Sequence, residues 1–441
     1  RGLYVMSNSA PLDWLSLPER ARLEGIPHDP DGQPAFRAFE LIGESYSGEN
    51  ITTRNPYLAL IDAQAQPTES GDSMDVLMTW RVEQTPPYYR LRPIVTLKDR
   101  QDNTRTVNDV FLLGTNQWRV GETMIQRVSL DIPPGTPPGD YAVDVTWVDR
   151  DSDTFLSYVD EEGRHAGIAQ TITAVEITRS ALPPDPADLS MTVQEQVTIA
   201  EGVTLLGWTP PAEDVLPGAV LRPVLHWKME SDEMVEAVLR DSAGGETLIF
   251  ADVPLADVAW QVGDILTEIA GWTVPVDQPG GTYTLIVRGE AGEVTLGTVR
   301  VADLTRVFTP PQVETVTQIG LGESLSLYGY NLTVAESIVF EPVWQAEQTV
   351  AEDYTVFVHV VDSAGIIVTQ RDMMPVQNSY PTSLWLAGEY VADRYVFDNV
   401  PPGEYTLRVG MYIQQSGRVL PIQDEESMNF VEIDGIGITD N

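Results

Sequence analysis

One segment of this chain occurs three times. Each copy has a tryptophan, a glycine three residues later, an acid directly after it, and, about twenty residues further on, a proline-glycine turn followed by tyrosine. The copies are Trp118-Arg-Val-Gly121-Glu122 with Pro137-Pro-Gly-Asp-Tyr141, Trp260-Gln-Val-Gly263-Asp264 with Pro279-Gly-Gly-Thr-Tyr283, and Trp385-Leu-Ala-Gly388-Glu389 with Pro401-Pro-Gly-Glu-Tyr405. Recurrence at such a spacing indicates one structural unit used three times.

The strand after each tyrosine alternates between apolar and polar residues. The apolar faces are Tyr141, Val143, Val145 and Trp147; Tyr283, Leu285 and Val287; and Tyr405, Leu407, Val409 and Met411. A period of two with one apolar face is typical of strands in antiparallel sandwiches. Each unit is expected to open with a short strand around a glycine: Leu41-Ile42-Gly43, Leu206-Gly207-Trp208 and Tyr328-Gly329-Tyr330.

Two proline-rich stretches, Leu182-Pro-Pro-Asp-Pro-Ala187 and Thr309-Pro-Pro-Gln312, separate the copies. We therefore expect an all-β protein of three tandem antiparallel β-sandwiches, of the immunoglobulin or fibronectin-III type. The expected units are residues 36–180, 181–307 and 308–434, with an arm at 1–35 before them and a frayed tail at 435–441.

The arm is expected to contain a short helix. Ser16-Leu17-Pro18-Glu19 matches a capping box with proline in the first turn, and Gly25 stands where a helix would end. These signals predict a helix over Leu17–Glu24.

The repeated aromatic residues are expected to be structural. Tryptophans at equivalent places in all copies are more often core residues than ligand contacts; they are Trp80, Trp227 and Trp344 in one strand and Trp118, Trp260 and Trp385 in the repeated segment. Tyr141, Tyr283 and Tyr405 follow the turn where a sandwich strand often begins with a tyrosine corner, in which the hydroxyl bonds to upstream backbone.

Charge disfavours two classes of partner. The net charge is −40, from 66 acidic and 26 basic residues, so nucleic acid and anionic lipid surfaces are disfavoured.

No apolar run is long enough to span a membrane. The chain has no cysteine, which excludes disulfides and thiolate sites. Since it starts at Arg1 without a signal peptide, we expect a mature chain or an excised fragment.

The sequence predicts no enzyme. Phosphate loops, dinucleotide fingerprints and nucleophile elbows are absent, and the four histidines lack metal-ligand spacing. Carboxylates are so abundant that no pair stands out as a glycosidase pair.

One acidic cluster is a candidate calcium site. Asp149, Asp151 and Asp153 alternate in a loop, with Asp160 shortly after, and hard cations prefer such oxygen ligands. Thr154 stands where an EF-hand loop requires glycine, and a solvated acidic hairpin remains the alternative.

Unrepeated aromatic residues are the candidates for stacking on sugar rings. Tyr88, Tyr89 and Trp272 belong to no repeated position. They are the expected ligand residues if the chain is a carbohydrate-binding module.

The third copy resembles a known bacterial family. Trp385-Leu-Ala-Gly-Glu389, Val400-Pro-Pro-Gly-Glu-Tyr405-Thr-Leu-Arg-Val-Gly410-Met-Tyr412 and Ser416-Gly-Arg-Val-Leu-Pro421 are similar to the soluble C-terminal β-sandwich region of Chloroflexota-type membrane glycosyltransferases and related surface proteins. The similarity covers roughly residues 305–425. It implies no catalytic residue, because the family's catalytic acids lie in the membrane-embedded part.

Taken with this resemblance, the sequence predicts a non-catalytic, extracytoplasmic accessory or structural region at the bacterial cell surface. Its partner would be a surface glycan or protein, and calcium is a candidate cofactor rather than an expected one. A subunit of a surface layer or extracellular filament that self-associates is the first alternative, and a carbohydrate-binding module is the second.

Overall fold

The computed structural model describes residues 2–7, 21–25, 36–41, 53–86, 91–109, 115, 118–149, 154–158, 167–414, 418–423 and 429–439. Within these ranges the chain is all-β, as predicted. Short helical turns lie at Pro186–Asp188, Pro375–Asn378 and Thr382–Leu384.

The strands before residue 180 form two sheets. They are β1 (Gly2–Ser7), β2 (Ala21–Gly25), β3 (Phe36–Leu41), β4 (Thr53–Arg54), β5 (Leu58–Ala65), β6 (Thr68–Glu69), β7 (Ser73–Val82), β8 (Leu91–Lys98), β9 (Thr104–Asp109), β10 (Thr123–Asp131), β11 (Gly139–Asp149), β12 (Thr154–Phe155) and β13 (Ala169–Thr178). One sheet has the order β2-β3-β1-β10-β7-β5-β4. The other is β6-β13-β11-β8-β9, with β12 paired to β11.

The next strands lie between residues 197 and 301. They are β14 (Val197–Ala200), β15 (Val203–Thr209), β16 (Asp214–Val215), β17 (Val220–Leu221), β18 (Val224–Met229), β19 (Val235–Arg240), β20 (Glu246–Asp252), β21 (Asp264–Ile269), β22 (Trp272–Thr273), β23 (Gly281–Arg288) and β24 (Glu293–Val301). Their sheets have the orders β14-β15-β18-β21 and β16-β24-β23-β19-β20, and β17 pairs with β22.

The remaining strands lie between residues 315 and 438. They are β25 (Thr315–Leu321), β26 (Leu325–Val334), β27 (Ser337–Ala346), β28 (Thr355–Asp362), β29 (Ile367–Met373), β30 (Tyr390–Ala392), β31 (Tyr395–Asp398), β32 (Gly403–Tyr412) and β33 (Val431–Ile438). Their sheets are β25-β26-β27-β30, with β31 also on β27, and β29-β28-β32-β33.

Buried apolar residues form three clusters, which we use to name three units. The clusters lie within residues 58–177 (first unit), 199–301 (second unit) and 321–438 (third unit). Each cluster draws side chains from two sheets; in the third, for example, Leu327 and Trp344 meet Val358 and Leu407. The apolar faces predicted for the tyrosine strands all lie in these clusters. Burial of the apolar sides that the two sheets turn toward each other is the main source of stability for such layers.

Equivalent strands pair in the same order in every unit. The tryptophan strands β7, β18 and β27 lie between β5 and β10, between β15 and β21, and between β26 and β30. The pairing register shifts at Leu60/Asp62, Leu205/Gly207 and Leu327/Gly329, so the irregularity is also repeated. The opening strand of the first unit is therefore β5, and the assignment of Leu41-Ile42-Gly43 to that role was wrong.

Both ends of the chain differ from expectation. The helix predicted over Leu17–Glu24 is wrong for its described half, because Ala21–Gly25 is strand β2 and pairs with β3. A helix of two turns is marginal alone, so pairing with a neighbouring strand outweighs a capping signal. The frayed tail predicted from Gly435 is also wrong as far as Ile438, since alternating Ile436 and Ile438 are buried at the end of β33.

Candidate functional site: the junctions between units

The repeated tryptophan segment forms the same turn in all three copies. Its glycines, Gly121, Gly263 and Gly388, have φ of 84°, 92° and 83°. This left-handed conformation favours glycine because a Cβ would clash with the backbone. The acid that follows donates its backbone N–H to the carbonyl three residues earlier, at 3.0 Å in each copy. The turn thus fixes the position of the acidic residue, which lies directly before β10 and β30 and is the first residue of β21.

At the junction of the second and third units, this acid binds an arginine from the linker. Arg306 donates from Nη1 to Glu389 Oε2 at 2.7 Å and to the Leu384 carbonyl at 2.8 Å, both in the third unit. Its Nη2 donates to the Val276 carbonyl of the second unit at 2.7 Å. One guanidinium therefore joins both units and their linker.

The Glu389 carboxylate is fully satisfied in this position. The side chain is 1% exposed, and Oε2 also accepts the Leu386 N–H at 2.9 Å. The Tyr380 hydroxyl donates to Oε1 at 2.6 Å, and burial together with this carboxylate raises the pKa of Tyr380. The stability of the folded state then depends strongly on each of these partners, because losing one leaves a buried charge uncompensated.

The junction of the first and second units uses the same pairing. Arg179, in the linker after β13, donates to Asp264 Oδ1 at 2.7 Å, while Oδ2 accepts the Gln261 N–H at 2.8 Å. Asp264 and Glu389 are the equivalent acids of their copies. In both junctions the linker arginine of one unit therefore binds the repeated acid of the next.

The first unit also covers the edge strand β21 of the second unit. The Thr267 N–H donates to the Gly135 carbonyl at 2.7 Å, and the Thr267 carbonyl accepts a hydrogen bond from Arg105 Nη1 at 2.8 Å. Asp99 pairs with the buried Arg105 at 2.9 Å. A Cβ at Gly135 would lie 2.8 Å from Thr267 Oγ1, so this close approach requires glycine. Covering an edge strand in this way also prevents it from pairing elsewhere.

Two titratable side chains lie on β21 or beside it. Burial raises the pKa of Glu268 to about 7, although its carboxylate accepts Trp227 Nε1 at 2.7 Å and Arg105 is near. Burial lowers the pKa of His226, whose ring nitrogens lie 3.0 Å from Thr267 Oγ1 and 3.1 Å from the Ser190 carbonyl. His226 therefore lies between the segment around Ser190 and the covered strand β21.

The position of Glu268 is polar in every copy. The residue five after the repeated glycine is Gln126, Glu268 or Asp393. Gln126 and Asp393 are buried, and the Tyr395 hydroxyl donates to Asp393 at 2.7 Å. The repeat therefore carries a polar residue at this position, which the apolar pattern did not predict, and in the second copy it bonds to the core tryptophan Trp227.

The first copy differs at its acid. In the described part of the chain no arginine bonds to Glu122. Strand β1 lies there instead, parallel to β10, with Gly2 opposite Thr123. The edge covered by an upstream unit in the second copy is thus covered by the N-terminal strand in the first.

The predicted structural residues lie in or against the cores. Trp80, Trp227, Trp344, Trp118 and Trp385 are buried, whereas Trp260 is partly buried against the second cluster. Trp147 joins Trp80 and Trp118 edge to face, with ring centroids 5.3 and 6.2 Å apart. The hydroxyls of Tyr141, Tyr283 and Tyr405 donate to the carbonyls of Pro137, Pro279 and Pro401 at 2.7, 2.8 and 2.7 Å.

The predicted ligand residues are not brought together. Trp272 is 2% exposed and stacks on Phe250 with centroids 5.6 Å apart, so its prediction as a sugar-stacking residue was wrong. Trp272 is an unrepeated aromatic residue, but it is buried in the core of the second unit. Tyr88 and Tyr89 lie outside the described residues.

The calcium prediction stays a prediction. Asp149 is buried at the end of β11, opposite Thr154, and Asp151, Asp153 and Asp160 lie outside the described residues. Within the described ranges, no three His, Cys, Asp or Glu side chains form a group that could hold a metal. No helix in those ranges is long and apolar enough to cross a membrane.

Arg179 and Arg306 were missed by sequence reasoning, although a signal exists. Each stands four residues before a proline pair, in Arg179-Ser-Ala-Leu-Pro183-Pro184 and Arg306-Val-Phe-Thr-Pro310-Pro311. The linkers are therefore part of the repeat.

Comparisons with known proteins assign no family. No protein-family model and no curated protein matches the chain. Among solved structures, the dimeric latent form of PorU from Porphyromonas gingivalis matches with a TM-score of 0.21 and 11% sequence identity, over 87% of this chain. The match spans 35% of the length of that protein. At this TM-score the similarity carries no conclusion about fold or function.

Proposed function

We propose that the chain is a non-catalytic array of three immunoglobulin-like β-sandwiches, which serves as an accessory or structural region at the bacterial cell surface. Sandwich architecture is supported by the two sheets that share each core and by the tyrosine-to-proline-carbonyl bonds at the start of β11, β23 and β32. Such an array holds acidic, loop-borne surface at fixed positions for a glycan or protein partner. The resemblance of the third copy supports a role beside membrane glycosyltransferases.

The observation that carries this proposal is the arginine pairing at both junctions. Two sandwiches joined only by a short linker move relative to each other. Here Arg179 and Arg306 tie each linker to the next unit, and Arg105 and Gly135 add direct contacts at the first junction. A chain built to hold its units in fixed relation serves presentation or support.

Distances between units test this directly. The chain has no cysteine, so cysteines introduced at exposed Gln66, Ser242 and Ser363 take spin labels at those sites alone. We expect narrow distance distributions between units in the parent protein, and broader ones in Arg179→Ala and Arg306→Ala. A parent distribution as broad as that of a flexible tether would refute the proposal. Protease accessibility on intact producing cells tests the extracytoplasmic location.

A second candidate function, a self-associating surface-layer or filament subunit, is favoured by one feature. Ile366, Ile367 and Val368 are 63%, 45% and 39% exposed at the start of the edge strand β29. An exposed β-branched run on a sheet edge is a site for strand pairing between chains. Sedimentation velocity of the parent and of Ile367→Lys separates the two functions, since only a self-associating subunit changes its oligomeric state.

A further inference from the structure

An open cavity of about 340 Å³ lies between the second linker and the third unit. Its walls include Thr305 of the linker, Val376 and Tyr380 of the segment before Trp385, and Tyr390 and Ala392 of β30. Pockets of this size accommodate small ligands. The cavity is separate from the first junction and from every residue that the sequence predicted as a ligand contact.

One wall of the cavity is backbone in an uncommon conformation. Val376, Gln377 and Asn378 follow one another with φ of 53°, 55° and 67°. The Asn378 side chain accepts the Met374 N–H at 2.9 Å, and its own N–H donates to the Met374 carbonyl at 2.9 Å, which closes the turn. Left-handed conformation at β-branched and long side chains is unfavourable, and strained backbone of this kind is concentrated at ligand sites.

This wall distinguishes the third copy from the second, in which Leu255 is the one non-glycine residue of the segment with a left-handed φ, at 55°. The segment between the strand and the repeated tryptophan runs from 374 to 384 in the third copy, and from 253 to 259 in the second. Residues required by the shared scaffold recur, so a local function is expected where the copies differ. The left-handed turn is such a difference, and it lies against the cavity.

The chemistry of the walls selects the ligand. Four side chains carry hydroxyls, namely Thr305, Ser379, Tyr380 and Tyr390, and aliphatic side chains fill the spaces between them. The only carboxylate is Glu389, whose charge is already matched by Arg306, so a cation gains little there. No basic side chain lines the cavity, which disfavours an anion. Hydroxyl-rich walls with apolar patches suit a neutral polyol with C–H faces.

We propose that this cavity binds the ring of a neutral sugar, with the left-handed turn as its fixed wall. The hydroxyls of Thr305 and Ser379 would exchange hydrogen bonds with the sugar hydroxyls. The aliphatic side chains and Tyr390 would contact its apolar face. This inference goes beyond the proposed array function, because a rigid array without a sugar site would still show narrow distances between units.

Saturation-transfer NMR of the full chain with glucose, mannose and N-acetylglucosamine tests the proposal. We expect transfer to at least one sugar, with a Kd on the order of 1 mM, as is usual for a single small ligand with few contacts. Thr305→Trp should fill the cavity and weaken binding at least tenfold. Thr309→Trp, in the same linker but outside the cavity, is the matched control and should bind as the parent does.

Three outcomes overturn the proposal. They are no transfer to any of the three sugars, equal loss of binding in the Thr305→Trp and Thr309→Trp variants, and binding of an acetylated Val-Thr-Val-Thr peptide that the sugars do not displace. The last result would assign the cavity to strand addition on β30. If Thr305→Trp does not fold by circular dichroism, Ala392→Phe fills the same space from β30 and gives the same test.

Discussion

The two linker arginines form the same pair in different surroundings. Both acids are buried, with 5% of the Asp264 side chain and 1% of the Glu389 side chain exposed, but the Arg179 side chain is 32% exposed and that of Arg306 is 14% exposed. Arg306 also bonds to Tyr380 and to carbonyls of two units, whereas among the described residues Asp264 is the one side-chain hydrogen-bond partner of Arg179. The shared turn fixes where the acid stands, and the unshared segment 374–384 determines how deeply the ion pair is buried.

Equivalent ion pairs in a repeated interface can thus share one geometry and still differ in how much they contribute to stability. An ion pair whose cation is partly open to solvent contributes less to stability, because water can reach the pair and replace the lost partner. A buried pair costs much to desolvate, and removing one member leaves an uncompensated charge. The first junction therefore depends more on the bonds of Arg105 and Gly135 to Thr267, and the second junction depends on Arg306.

The largest expected effect is that of Arg306→Ala. It leaves the buried Glu389 carboxylate without a cation, which costs about 3–5 kcal/mol in comparable buried pairs. We expect this loss in the third unit when unfolding in urea is monitored by the hydrogen exchange of backbone amides in β27 and β30.

Arg179→Ala is the matched control for that change. It removes the same residue type from the equivalent linker position, and we expect a distinctly smaller loss in the second unit. Equal losses in the two variants would contradict the assignment of the deeper pair as the stronger one.

The next largest effect concerns the polar position that reads Gln126, Glu268 and Asp393. Burial raises the pKa of Glu268 from its ordinary 4.5 to about 7, so the native state holds this proton more tightly than the unfolded chain does. The stabilisation from the bound proton is present below pH 4.5 and is lost as the pH rises through 7. Glu268→Gln, the residue of the first copy, should therefore stabilise the second unit at pH 8 by up to about 3 kcal/mol.

The same variant should change little at pH 4.5, where Glu268 is already protonated in the native state. Glu246→Gln is a control with the opposite sign, since hydrogen bonds from Arg240 and Arg288 lower the pKa of Glu246. That variant should lose stability at neutral pH. A pH-independent effect of Glu268→Gln on urea unfolding would contradict this account of the buried carboxylate.

Sequence patterns predicted the parts of this fold that depend on local spacing. The alternation after each tyrosine requires one buried face, so this face can be read from neighbouring residues. The linker arginines could not be read this way because Arg179 and Asp264 are 85 positions apart. Their recurrence before a proline pair identifies them only once the partner acid is known.

The errors in the sequence analysis have the same origin. Capping residues near Ser16 describe a local preference, but Ala21–Gly25 pairs with a strand that follows it. Trp272 lacks a repeated counterpart, yet Phe250 and the second core enclose it. Both errors come from contacts that local sequence does not contain. The left-handed turn at 376–378 was likewise unpredictable, because none of its residues is glycine.

Smaller effects are expected from the three tyrosine hydroxyls. Tyr141→Phe, Tyr283→Phe and Tyr405→Phe each remove one hydrogen bond to a proline carbonyl, at a cost of about 1 kcal/mol. The loss should be largest for Tyr141, because its hydrogen bond is buried whereas those of Tyr283 and Tyr405 are partly buried. Calorimetry of the three variants measures this order. Unchanged melting in all of them would exclude a structural role for the hydroxyls.

The smallest effect should be a gain, at the strained turn of the third copy. Gln377 has a φ of 55°, is exposed and carries a side chain that its backbone conformation disfavours. Gln377→Gly should relieve this strain and stabilise the third unit by about 1 kcal/mol, after the added entropy of the unfolded chain is subtracted. Gln370→Gly, in strand β29, should destabilise instead because its backbone is extended. If Gln377→Gly also destabilises, the turn is not strained, and the strain argument for a ligand wall at the cavity fails with it.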